Sequence, residues 1–145
     1  MSILSPIPPI DEARVVAAIA AAEERTSGEI RVFISSAKTE DPVHAAEAQF
    51  ERMNMTHTAA RNGVLLFLAP ASHTFAVIGD KGVHEKCGDS FWGELAAAMG
   101  EHFKRSDFTQ GLVVGIERAG ALLAEFYPRR PDDRNELPDR IERPQ

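Results

Sequence analysis

Six consecutive apolar residues, Val64-Leu65-Leu66-Phe67-Leu68-Ala69, constrain this chain more than any other feature. The run has no polar alternation, so a strand formed from it must be covered on both faces. It is far shorter than the 18 or more apolar residues of a membrane-spanning helix. Arg61-Asn62-Gly63 opens it, and Asn and Gly both tolerate positive φ. Pro70-Ala71-Ser72-His73 closes it with a loop of hairpin length, after which Thr74 to Gly79 reads as the returning strand.

The segments on either side say how the sheet continues. A first helix is predicted from about Asp11, a plausible N-cap, to Arg25, with Val15, Ile19 and Ala22 at helical spacing. Gly28 is expected to end it through a left-handed exit. Glu29 to Ser36 alternates as a strand with one buried and one mixed face. Asp41-Pro42 then begins a second helix, predicted to run to about Thr58. Strand, helix and strand in succession imply a parallel pair joined by a right-handed crossover. The hairpin after it adds an antiparallel neighbour. The last third is helical: a short turn at Val83 to Cys87, a helix capped by Asp89, and a longer one capped by Asp107.

These elements define one domain over residues 10–127, with a flexible Pro-rich lead-in at 1–9 and a disordered charged tail at 128–145. The net charge of -6 leaves no basic patch for nucleic acid and disfavours anionic lipid surfaces. No secretory leader or membrane span is visible, and the single cysteine, Cys87, allows no internal disulfide. The expectation is a cytoplasmic monomer or weak dimer, without membrane insertion, whose partner is a small ligand or another protein.

Four short motifs carry a resemblance. They are Thr26-Ser27-Gly28-Glu29 before the first strand and Arg61-Asn62-Gly63-Val64-Leu65 at the second. Gly79-Asp80-Lys81-Gly82 follows the hairpin, and Asp107-Phe108-Thr109-Gln110-Gly111 starts the last helix. In this order and spacing the chain resembles the TPM domain family over residues 10–127. The resemblance implies a mixed parallel/antiparallel central sheet flanked by helices on both faces, a three-layer α/β/α sandwich. It also implies a cleft that in some members holds a divalent cation, and for which phosphatase activity has been proposed. Two positions depart from the pattern: Arg61 replaces an acid in the turn, and His84 stands where a Glu is usual.

Topology places the starts of the first two strands and the end of the third along one sheet edge. Glu29, Asn62, Asp80 and Asp107 are therefore the candidate ligands for a weakly bound calcium or magnesium ion, which prefer carboxylate and amide oxygens. Arg61, Lys81 and His84 are the alternative reading of the same edge, as an anion site. His84 and Cys87 sit one helical turn apart, but His44, His57, His73 and His102 add no ligand spacing for zinc. Nucleophile elbow, phosphate loop and dinucleotide fingerprint are all absent. The sequence thus favours a regulatory or binding module with a small-ligand or weak cation cleft. A metal-assisted phosphatase and a purely structural interaction domain are the alternatives.

Overall fold

The computed structural model describes residues 9–58, 60–129 and 141–144. Its order is α1 (Glu12–Glu23), β1 (Glu29–Ile34), α2 (Pro42–Arg52), β2 (Gly63–Ala69) and β3 (Thr74–Gly79). Then come α3 (Lys81–Cys87), α4 (Asp89–Lys104), α5 (Phe108–Phe126) and β4 (Ile141–Glu142). The four strands form one mixed sheet in the order β3-β2-β1-β4. β1 and β2 are parallel in the register Glu29↔Gly63 to Ile34↔Leu68, and β3 returns antiparallel beside β2.

Both faces of the sheet are covered, because side chains of a strand alternate between faces. Val64, Leu66 and Leu68 of β2 join Ile30, Val32 and Ile34 of β1 in the larger core. That core is completed by α1, α4 and α5 through Val15, Ile19, Leu95, Met99, Phe103, Leu112, Ile116 and Leu123. The opposite face carries Phe33, Leu65, Phe67 and Ala69, packed on Ala46 and Phe50 of α2 and on Met55. One helix thus covers the second face, where α1, α4, α5 and, through Val83, α3 cover the first. α2 packs mainly on β2 and β3, which leaves the β1–β4 side of that face less covered.

The helix starts follow the local chemistry. The carboxylates of Asp11, Asp41 and Asp107 accept the backbone N–H of Arg14, His44 and Gln110, as N-caps should. Among the described residues no helix is long and apolar enough to cross a membrane.

Several boundaries differ from the sequence reading. α2 stops at Arg52 rather than near Thr58, because Asn54 takes a left-handed φ of 56° and turns the chain so that Met55 returns fully buried to the core. Gly28 has no left-handed backbone; it is needed for space, since a Cβ there would lie 2.9 Å from Leu123 Cδ1 on α5. Gly88, with φ 75°, occupies the cap position of α4, and Asp89 is already its first residue. β1 is buried at all six positions instead of on one face. The reason lies in the charged tail: Ile141 and Glu142 pair in parallel with Val32 and Phe33, and Glu142 binds the buried Arg31 guanidinium. Ile141 and Glu142 of the charged tail thus form a short strand, while 1–8, 130–140 and 145 lie outside the described residues.

Candidate functional site

At the amino ends of β1 and β2 the chain converges from four directions. β2 begins after Arg61, whose φ of 52° makes the tight turn. Asp80 follows β3, its N–H donating to the Gly63 carbonyl at 2.8 Å. The Asp80 carboxylate caps α3, accepting the Lys81 N–H at 2.7 Å. Arg61 grips the same carboxylate with both ends of its fork, Nε to Oδ2 and Nη2 to Oδ1, each at 2.8 Å. Parallel N–H···O pairs of this kind combine charge with fixed geometry. The Asp80 side chain is 4% exposed and that of Arg61 46%. The hydrogen bonds to Asp80, then its charge, raise the pKa of Arg61 above the ordinary guanidinium value.

Glu29 and Asn62 lie beside this pair, both buried. The Glu29 N–H donates to the Asn62 carbonyl at 3.4 Å, and the Asn62 N–H donates to Thr58 Oγ1 at 3.3 Å. Three of the four expected cation ligands, Glu29, Asn62 and Asp80, are thus brought to one sheet edge.

Asp107 is not among them. Phe108, the next residue, sets its ring 5.4 Å from that of His73 in the β2–β3 turn, at the opposite end of the sheet. Asp107 and Tyr127 cap the two ends of the 19-residue α5, so they stand about 30 Å apart. Its far end is the one that reaches the candidate site: the Tyr127 carbonyl accepts from the Ser27 N–H at 2.9 Å and from the Thr26 hydroxyl.

The anion reading fares unevenly at the same edge. Arg61 is committed to Asp80. Lys81 and His84 are exposed, and the His84 ring rests against Trp92 at 5.5 Å. Among the described residues no three His, Cys, Asp or Glu side chains form a metal-binding group.

Sequence reasoning missed the part played by Gly82 and Tyr127. A Cβ on Gly82 would lie 2.6 Å from the Ala60 carbonyl oxygen, 2.8 Å from that of Arg61 and 2.9 Å from the Tyr127 hydroxyl. Lys86 Nζ stands 5.6 Å from the Tyr127 ring centroid. Burial raises the Tyr127 pKa, with the charges of Cys87, Glu85 and Asp80 adding to it. Burial, then Glu125, likewise raises the Cys87 thiol, which is half-buried rather than enclosed. Being the single tyrosine of the chain was the one available signal for Tyr127, and it points to no position in space.

Comparison with known proteins agrees with this architecture. A family model described as the TPM domain matches residues 3–122. The solution structure of BA42 protein from the psychrophilic bacterium Bizionia argentinensis is 38% identical, with a TM-score of 0.87 over 99% of both chains. The N-terminal domain of cg2496 protein from Corynebacterium glutamicum aligns over 85% of this chain and 88% of its own. Its TM-score is 0.57 at 15% identity, a likeness of fold alone. No curated protein matches the chain.

Proposed function

We propose that this chain, which belongs to the TPM domain family, is a regulatory or binding module whose sheet-edge cleft carries its own cation. The observation behind this reading is the two-pronged Arg61–Asp80 pair. A calcium or magnesium ion at this edge would draw on Glu29, Asn62 and Asp80. Those residues are chemically suited to it, as hard oxygen donors. Arg61, however, already engages both oxygens of Asp80 and places a fixed positive charge there. A divalent ion has to displace it, so cation affinity is weak. Its guanidinium stays protonated at any neutral pH.

Metal-assisted phosphoryl transfer asks for a firmly held cation and a positioned nucleophile or water. The Arg61–Asp80 pair opposes the first, which makes the binding module the better-supported reading.

Calcium titration by calorimetry, with melting temperature followed in parallel, tests the proposal. The natural chain should show a small rise at low millimolar calcium. Arg61→Asp restores an acid in the turn, and Asp tolerates a left-handed backbone better than most residues. That variant should melt lower without calcium and recover clearly with it. Micromolar calcium binding by the natural chain would overturn the proposal.

A further inference from the structure

The less covered face of the sheet contains a groove of about 680 Å³, lined by none of the residues of the Arg61–Asp80 edge. This lies within the roughly 300–1,000 Å³ range of small-molecule sites. Its floor is the stacked pair Phe33 and Phe67, whose ring centroids are 5.6 Å apart with planes 13° from parallel. One wall is α2, from His44 to Arg52. Ser35, Ser36 and Thr39 close one end with hydroxyl groups, and Glu142 to Pro144 form the outer rim.

Topology singles out this position. From β1 the chain crosses to β2 by way of α2, on the second face of the sheet. β4 arrives on the other side of β1 after α3, α4 and α5, which belong to the first face. The helix between β1 and β2 thus packs on the second face, and the helices that precede β4 pack on the first. In open α/β sheets a crevice opens beyond the carboxyl ends of strands at such a reversal, and ligands bind there. Ser35, Ser36, Arg143 and Pro144 lie just past the carboxyl ends of β1 and β4.

The charges of the groove identify what it would take. Glu142 is paired with the buried Arg31, and Arg143 with Glu12 at 3.2 Å. Those four charges cancel within the fold. Arg52 is different: it donates to the neutral Gln49 side chain at 3.4 Å, and among the described residues it makes no ion pair. The groove thus combines a floor of two largely buried aromatic rings, one cation without an ion pair among the described residues, and a hydroxyl-lined end. His44 and Arg52 are eight positions apart on one helix, a span of about 12 Å.

We infer that this groove binds a small amphipathic monoanion, an aryl or acyl body of about that length ending in a carboxylate or sulfonate beside Arg52. The apolar body covers Phe33 and Phe67, and the anionic head meets the guanidinium. The inference does not depend on the sheet-edge reading, since none of its residues belongs to that edge.

The test uses anilinonaphthalene sulfonate, an aryl monoanion, titrated by fluorescence against the full chain at neutral pH. Saturable binding to one site is expected. The uncharged ring analogue N-phenylnaphthylamine should bind at least tenfold more weakly. Arg52→Glu should weaken the sulfonate at least tenfold while Arg52→Lys largely keeps it. Ala48→Trp, which fills the groove from the helix side, should abolish binding. Arg61→Asp should leave it unchanged, whatever calcium does at the other site. Thermal melting identifies any variant that fails to fold, and Arg52→Glu, at an exposed position, then carries the test alone. Absence of saturable binding, equal affinity for the neutral analogue, or binding indifferent to Arg52→Glu would each overturn the inference.

Discussion

The amino-terminal edge of the sheet and the groove beside α2 are both polar regions of one small fold, yet they hold their central charges in opposite ways. At the edge, Arg61 answers Asp80 with two 2.8 Å hydrogen bonds, and Gly82 lets three backbone and side-chain oxygens close in. At the groove, two ion pairs settle the rim while Arg52, among the described residues, makes no ion pair beside the aromatic floor. A buried carboxylate already matched by a guanidinium, as Asp80 is by Arg61, resists a ligand, because binding must first break that match. An opening with one charge left over gains from a counter-charge without breaking anything.

The largest expected effect lies on the groove side. Glu142→Ala leaves the Arg31 guanidinium, 5% exposed, without its counter-ion. Removing one partner of a fully buried pair costs about 3–5 kcal/mol. Because the Glu142 side chain keeps 21% exposure, we expect about 2.5 kcal/mol in chemical denaturation, below that buried-pair range. The double replacement Arg31→Leu with Glu142→Leu should recover much of it. A silent Glu142→Ala would mean that the rim, too, is poorly matched, and the contrast between the two openings would dissolve.

Next comes the closed edge itself. Gly82→Ala forces a methyl group against two backbone carbonyl oxygens at 2.6 and 2.8 Å. Overpacking of this kind costs about 2 kcal/mol, or several degrees of melting temperature. Ala48→Ser, facing the groove, should shift melting by less than about 0.5 kcal/mol, the usual range for surface changes. Comparable losses at both positions would show that the edge is no tighter than the groove.

The smallest effect is alkaline. Cys87 and Tyr127, beside the closed edge, both have raised pKa values, chiefly through burial. In each case the unfolded chain ionises first as pH rises, so unfolding is favoured increasingly. Stability should be fully present below about pH 8 and decline from there through about pH 10 and beyond, the ordinary thiol and phenol ranges shifted upward. Melting curves across that interval measure it, and Cys87→Ala should flatten the earlier part. An unchanged profile in that variant would remove the thiol from the account.

Much of this was legible in local chemistry. The apolar run at Val64–Ala69 required a central strand, and β2 is buried at every residue. Asp11, Asp41 and Asp107 were readable as caps because a cap is a short-range event, completed within three residues. The convergence of Glu29, Asn62 and Asp80 followed from strand directions alone. Asp107 was misplaced for a related reason: a cap reveals where a helix starts but not which end of the sheet that start overlies. That depends on the path through α3 and α4. The pairing of β4 with β1 was invisible as well. A two-residue strand has no periodicity to detect, and its partners lie 109 positions earlier in the sequence (141 − 32 and 142 − 33).

By itself, then, the amino-acid sequence determined the mixed sheet, the helix starts, the TPM resemblance and the presence of a basic residue, Arg61, in the turn before β2. These rest on side-chain periodicity, capping and turn chemistry, all of which act over a few residues. Only the tertiary structure decided that Arg61 holds Asp80, that Glu142 neutralises Arg31, and that Arg52, without an ion pair among the described residues, lines the same groove as Phe33 and Phe67. Ion pairing depends on distance through space, and the folded chain sets that distance between residues far apart along it.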